Sequence, residues 1–207
     1  MNKCIAFALF SLLSITLVTP LSGETLSPEP AIGVIETLNA TLLDSMKRGD
    51  KLGYSGRYAL LDPVMNQSFS FPFMVRKSCG SYWKALDSNQ QTELLKKYIS
   101  WSVGTYAERF NEYKGQQFVV VGSERIREKY IRVTSHIIKN NKKTRVFKYL
   151  LLKDKENWRI VDIQVEGVSQ LSLTRSQFKS VLKDRGIDGL LENLNEKIRI
   201  LNQDNPS

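Results

Sequence analysis

Two hydrophobic periods divide the chain. From Pro28 to Gly115 apolar residues recur at helical spacing, from Gln116 to Gly167 they alternate or run together between polar turns, and after Thr174 the helical spacing returns. Ser27 followed by Pro28 reads as a helix start, a side-chain acceptor and then a residue that loses nothing by lacking an N–H in the first turn. Ile35, Leu38, Leu42 and Met46 continue that helix, and Arg48-Gly49-Asp50 closes it, which makes the tripeptide a helix end rather than an adhesion signal. A second helical piece carries Tyr58, Leu61 and Met65 and is interrupted by Asp62-Pro63. Ser88 with Gln91 forms a capping box for a long helix. Its apolar face is Leu94, Leu95, Tyr98, Ile99, Tyr106 and Phe110, with Trp101 on the flank and Gly115 as the stop.

The segments "QQFVVVGSERI", "KYIRVTSHIIK", "TRVFKYLLLK" and "NWRIVDIQVEG" are rich in β-branched and aromatic residues and predict four antiparallel strands. "KNNKK" links the middle pair and "KDKEN", a five-residue polar link, joins the last two. Two helices finish the chain, one from Thr174 to about Asp184 with Thr174 and Gln177 as its capping box, the other from Asp188 with Leu190, Leu191, Leu194 and Ile198 on one side. With no repeat and no internal linker, the expectation is one α+β domain: a curved antiparallel sheet of about four strands wrapped by helices.

Composition agrees with a single globular unit, since the 207 residues are 42% apolar and 25% charged. The first residues change the picture of where it works. Lys3, an apolar run from Ile5 to Val18, then Pro20 and small residues before Glu24 have the layout of a cleaved secretory signal peptide, residues 1–23, leaving 24–207 as one domain. The run is shorter than the ~18–20 apolar residues that span a bilayer. Cys4 would leave with it, and Cys79 alone cannot form an internal disulfide, so the fold depends on packing. The net charge of +9 favours acidic partners such as anionic lipid surfaces, polysaccharide or a negatively charged protein.

Candidate chemistry is sparse. His136 is the single histidine and lies in a predicted strand, so a Ser-His-Asp arrangement would have to be built on it alone. No C-x-x-C or H-E-x-x-H spacing supports a metal, and no glycine-rich loop supports a nucleotide. Cys79 sits near Arg76 and Lys77 but lacks a base and reads as a small buried hydrophobe. The tripeptides at Asn39 and Asn66 match glycosylation sequons, which a bacterial export route ignores. The basic run Lys139, Lys142, Lys143 and Arg145 is placed to touch phosphate or to be solvated in a turn. Apolar residues are in surplus: the block from Phe69 to Trp83, the long helix face, "FVVV" and "YLLL" offer more than one sheet side needs. Either both sheet faces are covered or a cavity is left.

"FSFPFMVRKSCGSYW", "QQTELLKKYISWSVGTYAERFNEYKG", "NWRIVDIQVEGVSQLSLTRSQF" and "RGIDGLLENL" resemble the periplasmic toluene-tolerance, or MlaC, family over about Ile32 to Leu194. The pattern W-x-[IV]-x-D-[IV]-x-V-E-G-[VI]-S, here Trp158 to Ser169, is the most specific part, and Arg175, Gln177 and Phe178 match R-x-Q-F. Ser70 stands where the family usually has Asp, and Cys79 where it usually has Leu. The resemblance implies a non-catalytic periplasmic protein with an apolar pocket for phospholipid tails and no cofactor beyond that cargo. It implies as partners an outer-membrane lipoprotein complex and an inner-membrane MCE-type ABC transporter complex, and no nucleic acid. A related HpnM-like branch is associated with hopanoids.

On this reading the pocket residues are Phe69, Phe73, Met74, Tyr82, Tyr106, Phe110, Tyr149, Val165 and Val168, with Arg175 at the entrance. Gly167 would bend the chain off its strand and turn Val168 and Leu171 toward the pocket. Two rivals remain: an enzyme on a similar cone-shaped scaffold with Asp162 as acid or base, and an exported adaptor whose basic surface binds an acidic partner.

Overall fold

The computed structural model describes residues 28–203. The proposed signal peptide and Ser27 lie outside that range. The chain order is α1 (Glu29–Lys47), α2 (Gly49–Ser68), α3 (Phe71–Cys79), α4 (Ser88–Arg109), β1 (Gln117–Arg127), β2 (Tyr130–Lys139), β3 (Lys142–Asp154), β4 (Asn157–Val165), β5 (Val168–Ser169) and α5 (Gln170–Gln203), with a 3₁₀ turn at Gly80–Ala85. The fold is α+β: an open five-stranded antiparallel sheet in the order β1-β2-β3-β4-β5, packed on helices.

Every connection in the sheet is a two-residue turn. Lys139 pairs with Lys142 and Asp154 with Asn157, so the expected five-residue links are mostly strand. Asn140 and Asn141 both take positive φ, as do Glu166 and Gly167, the mirror-image turn whose twist suits a hairpin. Gly167 therefore closes a tight turn and feeds a short extra strand, Val165 opposite Val168 and Gln164 opposite Ser169, where a simple bend was expected.

Each of the three long pairings carries a bulge. Bulges bend strands and re-phase their side chains. The extra residue at Val161 keeps Trp158 and Ile160 on the same inner face as Ile163 and Val165. Another at Thr144 puts Lys143 opposite Ile138 and Arg145 opposite Ile137, so that Lys143 leaves the face shared by Arg145, Phe147 and Tyr149. Helices cover the inner face only; on the outer face Val119 and Val121 stay exposed, and half-buried His136 lies between Val119 and Val146. Phe69 bridges to Ile160, and the Ser70 amide donates to the Ile160 carbonyl at 2.9 Å, covering the β4 edge that β5 leaves open.

The helix ends differ from expectation in instructive ways. Arg48 is only a joint, because Gly49 and Asp50 already belong to α2, and Arg57 clamps that corner through the Gly49 and Ala107 carbonyls at 2.9 and 2.8 Å. Pro63 does not interrupt α2, which runs on to Ser68 and is kinked at Gly53 instead. The capping box of α4 sits one residue earlier, on Asp87 and Gln90, and Gln91 donates to the Trp83 and Leu86 carbonyls. Helix α4 stops at Arg109, short of Gly115.

Thr174 does not cap the last helix, which begins at Gln170. Ser169 Oγ accepts the Ser172 amide and donates to Asp162, while the other Asp162 oxygen accepts the Leu171 amide. At Gly186 the φ of 66° and ψ of −163° kink α5 in a region that side chains disfavour. Among the described residues no helix is long and apolar enough to cross a membrane. Asn39, the first sequon residue, is buried and donates to Ser135.

Candidate functional site: a hollow between the helices and half of the sheet

The core is solid over one half of the inner sheet face and hollow over the other. Ile131, Leu151 and Ile160 lie side by side in register and are sealed, the latter two with no accessible surface. Toward the β2–β3 turn, Ile137, Phe147, Tyr149, Ile163 and Val165 instead face a cavity of about 620 Å³, a size typical of small-molecule pockets. Met46, Met65, Phe69, Phe71 and Met74 close it from α1 to α3, and the α4 face from Tyr98 to Phe110 forms the wall opposite the strands.

That wall is built from rings that support one another. Phe69 stacks on Phe71 at 5.3 Å and meets Tyr106 edge-on at 6.0 Å; Tyr106 contacts Phe110 at 5.5 Å, and Phe147 stacks on Tyr149 at 6.0 Å. Each aromatic contact of this kind adds about 0.5–1.5 kcal/mol to the packing of the lining. Tyr106 keeps accessible surface although burial strongly raises its phenol's pKa; that surface is cavity wall.

The serine and threonine hydroxyls of the lining are all spoken for. Ser102, Thr105 and Thr174 donate to the carbonyls four residues back, at 2.7, 2.7 and 2.9 Å, and Thr144 donates to Ile137 at 3.1 Å. Burial raises the phenols of Tyr98, Tyr106 and Tyr149, so they stay neutral at ordinary pH. The charged groups of the lining are Arg109 and Arg145, both exposed. Such a wall accepts hydrocarbon without stranding a serine or threonine hydroxyl.

Of the sequence-derived pocket residues, Phe69, Met74, Tyr106, Phe110, Tyr149 and Val165 line the cavity. Phe73, Tyr82 and Val168 do not. Phe73 packs half-buried beneath Lys77, whose Nζ lies 5.4 Å from the ring, Tyr82 sits in the 3₁₀ turn, and Val168 is 49% exposed beyond the β4–β5 turn. Arg175 points outward against Gly80, its Nη2 3.8 Å from where a Cβ would stand there. Leu171 packs half-buried against the core without reaching the cavity.

Sequence reasoning did not select Phe71, Tyr98, Trp101 or Phe147 for the pocket, nor Arg109 for its mouth. The period of the α4 face was the available signal, because Trp101 and Thr105 precede Arg109 at helical spacing. Asp162 is absent from the lining, and both its carboxylate oxygens are engaged in capping α5, an arrangement suited to holding a helix end. No group of acidic, histidine or cysteine side chains that would hold a metal occurs among the described residues. Burial pushes the Cys79 thiol up to about 12, the opposite of an activated nucleophile.

Comparison with known proteins follows the same lines. The chain is 23% identical over 124 residues to the intermembrane phospholipid transport system binding protein MlaC of Haemophilus influenzae. That match covers 58% of this chain and 58% of the relative, less than two thirds of its length. Among solved structures, the phospholipid-binding protein from Ralstonia solanacearum, in complex with a phospholipid, has the same fold: TM-score 0.72 at 19% identity, covering 84% of this chain and 97% of that one. The family model described as MlaC protein matches residues 36–196, the whole span that builds the sheet and the hollow. This protein belongs to the MlaC family.

Proposed function

We propose that this protein is a non-catalytic periplasmic carrier that takes phospholipid acyl chains into the hollow and passes the lipid between an outer-membrane lipoprotein complex and an inner-membrane MCE-type ABC transporter complex. The observation that carries the reading is the cavity of about 620 Å³, walled by aromatic and apolar side chains whose neighbouring serine and threonine hydroxyls are already bonded. Family membership supports it, as do the name of the Haemophilus relative and the phospholipid bound by the Ralstonia protein of the same fold.

The energetics favour a filled cavity. Each methylene withdrawn from water gains roughly 0.8 kcal/mol, so shielding a chain of ~16 carbons is worth on the order of 12 kcal/mol. Left dry and empty, 620 Å³ at about 24 cal/mol per Å³ would cost about 15 kcal/mol, as much as a whole domain's stability. Release requires near-balance with the bilayer, since every ~1.4 kcal/mol of excess is tenfold in affinity. Direction therefore comes from the partners.

The test is solvent extraction and mass spectrometry of protein purified without detergent. Lipid in near-stoichiometric amount is expected, and its class separates glycerophospholipid from hopanoid cargo. A protein that never carries lipid and yet keeps a rigid open cavity would end the proposal.

A further inference from the structure

We infer that the cavity mouth selects net-anionic head groups, Arg109 on α4 and Arg145 on β3 gripping the phosphate of an amphiphile whose chains fill the hollow; this rests on the carrier reading and adds a head-group preference to it. The two arginines stand on opposite walls. Arg109 follows Tyr106 by three residues and Thr105 by four, at the end of the α4 face that lines the hollow. Arg145 continues the inner-face alternation of Phe147 and Tyr149 outward, just past the Thr144 bulge. Both are exposed while those rings lie deeper, so the charge is at the opening and the apolar surface within.

Neither arginine is ion-paired among the described residues. No Asp or Glu lines the cavity, and Glu166, at the same end of the sheet as Arg145, accepts the Val146 amide. Gln116 adds an amide at the rim, its oxygen already accepting the Lys114 N–H and its NH₂ left to donate. The negative end of α4 is blunted, because Arg57 takes the Ala107 carbonyl and Ser45 the Phe110 carbonyl. Guanidinium forks match phosphate oxygens bidentately. The ammonium of a zwitterionic head group finds no carboxylate in this lining, whereas a phosphodiester bearing an uncharged head satisfies both forks at no such cost.

The recognised chemistry is a phosphate anion, which a soluble phosphate ester shares, and the experiment separates the two. Delipidated protein is incubated with vesicles of equal phosphatidylglycerol and phosphatidylethanolamine, re-isolated, and its lipid identified by mass spectrometry. Phosphatidylglycerol should be enriched about tenfold, the scale of one charge-assisted contact. The double variant R109Q/R145Q should take both lipids in proportion to supply, R109K/R145K should recover part of the preference, and Arg175→Gln, a cation off the cavity, should leave it intact. A thermal melt checks that each variant is folded. Equal uptake by the unaltered protein, or a preference that survives in the double variant, overturns the inference while the carrier reading stands. A loss in Arg175→Gln as large as in the double variant overturns it in favour of diffuse surface charge. Abolition of the enrichment by millimolar inorganic phosphate, with chloride at equal ionic strength as control, overturns the lipid as its source. Absence of lipid from every protein removes the carrier reading and this inference together.

Discussion

The two halves of the inner sheet face share one alternating pattern and differ in what lies opposite. Ile160 and Leu151 are sealed with no accessible surface, whereas Ile163 and Tyr149, two positions along the same ladder, look into the hollow. The strands do not cause the difference. The sealed residues belong to a core cluster with helix side chains such as Leu38 and Leu61 that do not line the hollow, while the α4 face that does line it interleaves its rings with Ser102 and Thr105.

That contrast predicts unequal costs for the same truncation. Ile160→Ala should destabilise by about 3 kcal/mol, a transfer loss plus a new void, while Ile163→Ala should cost about half as much because its neighbour is already open space. Urea unfolding of the lipid-free proteins measures both, and equal losses would erase the distinction between the halves. The reverse operation is smaller: Thr105→Phe should fill part of the hollow, raise lipid-free stability by about 1 kcal/mol and sharply reduce the lipid recovered. A thermal melt and an extraction on the same sample read both effects.

The smallest perturbation uses thiols as reporters. In a Cys4→Ser background, Cys79 is 2% exposed with its thiol pushed up to about 12, so it should resist a maleimide at pH 8. Thr105→Cys on the cavity wall should label at least about tenfold faster and be protected by bound lipid. The raised thiol also fixes the sign of an alkaline effect. Above its ordinary value of 9.0 the unfolded chain loses this proton while the folded chain keeps it, so stability falls as pH rises from there toward 12. The raised tyrosines Tyr98, Tyr106 and Tyr149 add to the fall from about pH 10 upward.

The strands were the most legible part of the sequence, because period-two alternation is a property of consecutive residues. Even the turns within "KNNKK" and "KDKEN" could be located, though not how far the strands ran into them, whereas the tight turn at Glu166-Gly167 reads as a bend. Caps were less legible. Asp87 outcompetes Ser88 by one position, and the end of α5 is held by Asp162, a residue on another element that no local motif reveals. The same limit governs the cavity. Phe69, Met74 and Tyr106 were found from the aromatic block and the α4 face, but Phe73, one residue before Met74, points elsewhere, since adjacent positions on a helix lie about 100° apart. Arg109 and Arg145 line one opening from elements far apart in the chain, a juxtaposition that no local motif reveals.

The backward hydrogen bonds of Ser102, Thr105 and Thr174 carry one more consequence. Hydroxyls occupied in this way can be covered by hydrocarbon anywhere along its length without stranding a donor, and sliding by one carbon exchanges one set of dispersion contacts for another of nearly equal worth. On the carrier reading, tails of differing length or unsaturation should then be taken with little discrimination.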